Sequence, residues 1–104
     1  FQDLEELESL VELRREVDQL DHDLLTLLSQ RLKLSHRLGE IKKEFDIPIL
    51  QPRRWEQILN TRTSAGQAMG LDASFLIKWL QIMHQESIRR QLEVYRPDSV
   101  QAPK

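Results

Sequence analysis

The chain has 104 residues, enough for one domain, with 39% hydrophobic and 31% charged residues and a net charge of -2. That balance argues against a nucleic-acid binder, which is normally basic. The lack of cysteine excludes a disulfide framework and thiolate chemistry and fits a reducing, cytoplasmic compartment.

No apolar run approaches the roughly 20 residues of a membrane span, and no signal-peptide pattern is visible. The first residue is Phe1 rather than Met, which fits a piece of a longer polypeptide. In chain order, Asp3 followed by Glu6 reads as a helix cap. Leu4, Leu7, Leu10 and Val11 continue a helical pattern beside Glu5, Glu6, Glu8 and Glu12. Residues 1–12 are expected to form an acidic helical extension or the end of a linker.

From Leu13 a seam runs through Val17, Leu20, Leu24, Leu27, Arg31, Leu34, Leu38, Ile41 and Phe45. Its steps alternate four and three without a break, which is a helical period. No proline interrupts residues 3–47, and Gly39 is the only glycine there. The pattern predicts one helix of about 40 residues, or about 60 Å. A compact domain of this size has a radius of gyration of about 13 Å. The chain cannot cover so long a helix by itself, so the seam is expected to be buried against a second copy in an intertwined dimer.

Pro48 biases Ile47 away from helix, and Pro52 suits a first helical turn with Gln51 near its N-cap. The second helix is expected to carry Trp55, Ile58, Leu59, Arg62, Ala65 and Met69 on its packing stripe. Gly66 weakens it and Gly70 stops it. Asp72 is expected to cap a third helix that runs to about Tyr95. Its stripe, Leu76, Leu80, Met83, Ser87, Gln91 and Val94, starts apolar and turns polar. Pro97 ends it, and residues 97–104 read as a flexible tail. The expected architecture is all-α, with one long, one short and one medium helix and a domain over residues 13–96.

Arg31 is the one charged residue of the seam. A neighbouring stripe steps by seven through Arg14, Asp21, Leu28, Ser35 and Lys42 and adds two cations. A buried cation needs a partner. Arg31 reaches solvent, pairs with a carboxylate such as Asp21, or binds an external carboxylate or phosphate through its planar guanidinium. Lys42 lies about three turns later on nearly the same face. Arg54 opens the second helix, whose first-turn amides favour anions. Ser87 and Gln91, four apart, add neutral hydrogen-bonding groups. Arg14 is about 25 Å along the helix from Arg31, so it serves the same small ligand only from a partner chain with the long helices antiparallel.

His22, His36 and His84 show no metal-ligand spacing, and there is neither a Gly-rich phosphate loop nor a nucleophile–base pair. Cations and amides without an evident acid, base or nucleophile suit a reaction driven by binding and electrostatics.

The run Leu13-Arg14-Arg15-Glu16-Val17-Asp18-Gln19-Leu20-Asp21, with Leu24-Leu25, Leu27-Leu28, Arg31, Gly39, Lys42, Pro48, Pro52, Arg54, Leu71-Asp72 and Glu86-Ser87 through Gln91, resembles the all-helical chorismate mutase family. The resemblance covers about Leu7 to Val94. It implies an intertwined dimer of three-helix chains that converts chorismate to prephenate by a Claisen rearrangement, with no cofactor, no metal and no covalent intermediate. Arg31 and the partner copy's Arg14 would clamp the two substrate carboxylates, and Ser87 would assist. Lys42 and Gln91 would hydrogen-bond the ether oxygen, and Arg54 would add positive potential. These types fit the chemistry. A dianion calls for cations, and donors at the ether oxygen favour the transition state over the ground state.

Members commonly have aspartate where Gln51 stands and glutamate where Trp55 stands, both in contact with the substrate's ring hydroxyl. Glu56, one residue on, is rotated about 100° and is no simple substitute. The hydroxyl is then held by backbone groups and Gln51, or held poorly, and Trp55 either packs as core or walls the pocket, of which packing is the expectation. The alternatives are an isochorismate-pyruvate lyase and a non-catalytic dimerisation or regulatory module of the same fold. The stretch Ile49 to Glu56 also resembles mutase domains attached to DAHP synthase, which would make this a domain of a bifunctional enzyme.

Overall fold

The computed structural model describes residues 4–95. They form three α-helices, α1 (Leu4–Glu44), α2 (Pro52–Ala68) and α3 (Ala73–Leu92), followed by a 3-10 turn at Glu93–Tyr95. Among the described residues there is no strand, as the periodicity predicted. The Asp3 cap and the 97–104 tail lie outside the described residues.

Each helix boundary has a local cause. α1 carries Glu5 and Glu6 in its first turn and Lys42 and Lys43 in its last, which complements the helix dipole. Past Glu44 the chain turns through Asp46, a left-handed residue at φ 55°, and the Ile47 amide donates back to the Lys42 carbonyl at 2.8 Å. Gln51 is the N-cap of α2 in extended conformation, without a side-chain cap bond, and Pro52 takes the first position, where no amide is required. Gly70, at φ 89°, lets the chain leave α2 in a conformation that a side chain would strain. Asp72 caps α3 as expected, its Oδ2 accepting from the Phe75 amide at 2.9 Å.

The chain divides into two compact units that meet at Arg31 and Leu32. The first is the α1 segment up to Arg31. In it Leu13, Val17, Leu20, Leu24 and Leu27 are 53–61% exposed. In the second unit Leu34, Leu38, Ile41 and Phe45 are 50–64% exposed. Every apolar position of the seam is thus exposed on the single chain.

The second unit has its own small core of Leu76, Leu80 and Met83, on the predicted stripe of α3. The stripe read for α2 holds only in its first half. Trp55, Ile58 and Leu59 are half-buried, whereas Arg62, Ala65 and Met69 are exposed. Gly66 is the buried residue instead, because α2 approaches α3 there. A Cβ on Gly66 would stand 2.4 Å from Leu76 Cδ1, so the residue that reads as a weak point is what permits the contact.

Candidate active site

The buried polar side chains of the second unit are Ser35, Lys42 and Gln91. Ser35, Gly39 and Lys42 follow one another on α1 at steps of four and three. Ser87 and Gln91 are four apart on α3, so two matched rows face each other. The Ser35 and Ser87 hydroxyls are 2.7 Å apart. Lys42 Nζ donates to Gln91 Oε1 at 2.7 Å. Between these contacts Gly39 meets the Gln91 backbone, where an added Cβ would stand 2.6 Å from the carbonyl oxygen and 2.7 Å from Cα. Backbone atoms cannot swing aside as a side chain does. Gly39→Ala is therefore expected to cost about 1–3 kcal/mol of stability and to displace Gln91. Urea unfolding and turnover measured on the same variant check both.

Lysine carries only donors, so Gln91 turns its amide oxygen toward Lys42 and its NH2 away. That NH2 donates to Ser87 Oγ at 3.2 Å. Lys42 Nζ also donates to the Ile49 carbonyl at 2.9 Å, which ties the α1–α2 connection to the row. An ammonium has three N–H donors, and Gln91 and Ile49 take two of them. Burial disfavours the charged form and lowers the Lys42 pKa from its ordinary 10.5. The row therefore presents an ammonium, an amide and two hydroxyls, fixed in place by one another.

The other candidate residues are placed differently. Gln51 is exposed at the start of α2. Arg54 is exposed and donates to Gln57 Oε1 at 2.6 Å along its own helix. Arg14 is exposed and Arg31 half-buried, both in the first unit. The structure thus brings together Lys42, Ser87 and Gln91. It adds Ser35, Gly39 and the Ile49 carbonyl, which were not assigned to the site from sequence. Ser35 was visible as the step-of-seven neighbour of Lys42, whereas a backbone carbonyl leaves no sequence signal. Trp55 packs as expected, stacked on His84 with ring centroids 4.1 Å apart. Among the described residues no group of His, Cys, Asp and Glu could hold a metal ion, and no helix is long and apolar enough to cross a membrane.

The chorismate mutase type II family matches residues 13–92 of the chain. A bifunctional chorismate mutase/prephenate dehydratase from Aquifex aeolicus is 46% identical over 52 residues, which are 50% of this chain and 14% of that protein. A T-protein from Haemophilus influenzae is 32% identical over 81 residues, 78% of this chain and 22% of the relative. A chorismate mutase from Methanocaldococcus jannaschii is 30% identical over 87 residues, 82% of this chain and 88% of the relative. The chain therefore spans less than a quarter of the first two proteins and most of the third.

Proposed function

Because the chain belongs to the chorismate mutase type II family, we propose that it converts chorismate to prephenate. In this rearrangement the ether C–O bond breaks as a C–C bond forms within one molecule. No proton moves and no group leaves. The protein's task is to hold the compact conformer and to stabilise charge that gathers on the ether oxygen.

The observation that carries the proposal is the buried Lys42–Gln91 pair. Lys42 has a third N–H beyond those given to Gln91 and Ile49, and Gln91 a second beyond that given to Ser87, and on this reading both serve the ether oxygen. Their mutual fixing means that little reorganisation is needed as charge develops. Ser87, held by Ser35 and Gln91, would meet a carboxylate on the family resemblance. Arg31 of the same chain and Arg14 of a second copy would clamp the carboxylates, with Gln51 and Arg54 at the start of α2. Those roles rest on the family resemblance and on the need of a dianion for cations. The test is loss of chorismate absorbance with the purified chain and identification of the product. Prephenate is expected. Pyruvate from isochorismate, without prephenate from chorismate, would select the lyase reading, and no turnover by a folded protein would select the non-catalytic module.

The second copy is part of the proposal. Nine apolar seam residues are exposed on the single chain, and a contiguous apolar face of that length calls for a cover. Sedimentation is expected to find a dimer at micromolar concentration, and a folded monomer there would sink the shared site. The fused or associated partner we favour is a DAHP synthase, on the resemblance of residues 49–56. Faster turnover on its addition is the expected sign. The cytoplasm is the compartment that the cysteine-free composition fits.

A further inference from the structure

Gln91 stands in the last turn of α3, one residue before the helix ends at Leu92. The last four carbonyls of a helix have no partner within it, and helix ends fray. A side chain that must meet Lys42 with fixed geometry is thus carried by the least secure part of its helix. What holds that end decides how well the pair is kept.

The turn beyond Gln91 is tied to α1. The Glu93 amide donates to the Arg89 and Gln91 carbonyls, so the backbone of the turn is coupled directly to that of Gln91. Lys43 Nζ donates to the Val94 carbonyl at 3.2 Å and stands 6.0 Å from the centre of the Tyr95 ring, within reach of a cation–π contact. His36 Nδ1 lies 3.7 Å from Glu93 Oε1, an ion pair when the imidazole is protonated. His36 and Lys43 are seven apart on α1 and share a face. Each directly follows a residue of the buried row, Ser35 and Lys42. α1 therefore grips α3 along two neighbouring lines. The inner line meets the Gln91 side chain, and the outer line meets the turn that follows it. Glu93 also has Arg89 of its own helix at 3.6 Å, so the firmer tie across to α1 is that of Lys43.

We propose that Lys43, with His36 beside it, is a positioning residue that holds the end of α3 on α1 and so keeps Gln91 on Lys42. This rests on the mutase reading. Lys43 acts through Gln91 and not on the substrate. Its two contacts are exposed, and together such contacts shift a local equilibrium by about three- to tenfold.

The experiment measures kcat and KM for chorismate in the wild type, Lys43→Ala, Lys43→Arg, Gln91→Ala and the Lys43→Ala/Gln91→Ala double variant. Lys43→Ala is expected to lower kcat about three- to tenfold and to leave KM within about twofold. Lys43→Arg offers a donor and a cation to the same partners and should keep kcat within about twofold of the wild type. With Gln91 already removed, Lys43→Ala should change kcat by less than about twofold, because nothing is left to position. An equal factor in both backgrounds overturns the proposal. So does an unchanged kcat in Lys43→Ala, or a loss confined to KM, which loss of positive charge alone would produce. If the wild type leaves chorismate intact, the mutase reading fails, and amide hydrogen exchange reads the tie instead. Lys43→Ala should then speed exchange of the Glu93 amide about three- to tenfold and leave that of the core residue Leu80 unchanged. No change at Glu93, or an equal change at both, overturns the proposal.

Discussion

Arg31→Ala and Arg14→Ala should each lower kcat/KM by about 10²–10³-fold, comparable to loss of a key transition-state donor. The two proteins, mixed and allowed to exchange subunits, should recover roughly a quarter of wild-type activity. The first result follows from the substrate's charge. A guanidinium makes two parallel bonds to a carboxylate, and alanine replaces them with water. The second follows from symmetry. If each site takes Arg31 from one chain and Arg14 from the other, a mixed dimer concentrates both lesions in one site and leaves the other whole. Half of the dimers are mixed at equal input, and half of their sites are intact. No recovery, despite exchange shown by mass or label, would place both arginines in one chain's site or outside it.

Gln91→Ala should lower kcat by about 10²–10³-fold with KM little changed. On the proposed mechanism Gln91 would donate to the ether oxygen, and its Oε1 fixes Lys42 by accepting from Nζ. Both matter most when charge has developed. A loss confined to KM would remove the transition-state role. The same pair gives a pH signature. Gln91 and Ile49 take two of the Lys42 N–H donors, so only the protonated amine keeps a third for a ligand, and burial holds its pKa below 10.5. Turnover is expected to fall as pH rises through that lowered value. Stability should move the other way. Between the folded pKa and 10.5 the unfolded chain binds the extra proton, so unfolding becomes harder as pH rises. Lys42→Met should abolish both trends, seen as kcat against pH and urea midpoint against pH.

The helices were legible because their causes are local. The step of three and four, Pro52 and Asp72 each act within a turn or two of their own position. Lys42, Ser87 and Gln91 were legible as polar positions on packing stripes. The remainder depended on how closely helices approach. Gly66 reads as a helix weakener and Gly39 only as the one glycine of residues 3–47, because what both provide is the absence of a Cβ against another helix. Met69 looked like a packing residue by period, but α3 does not reach it, and it is 78% exposed. Ser35 reads only as the step-of-seven neighbour of Lys42 until Ser87 is placed opposite. The Trp55–His84 stack needed the register of α2 against α3, which no single stretch encodes.

The exposed seam also bears on what the stability of this protein means. If so much apolar surface is covered by a second chain, as proposed, folding and association form one equilibrium. Its thermal midpoint should climb with protein concentration, and dilution should unfold the chain rather than release a folded monomer. Heating curves over a hundredfold range of concentration would show this as a steady displacement of the midpoint. Stocks of the protein compared at unequal concentration would then differ in apparent robustness with no difference in sequence.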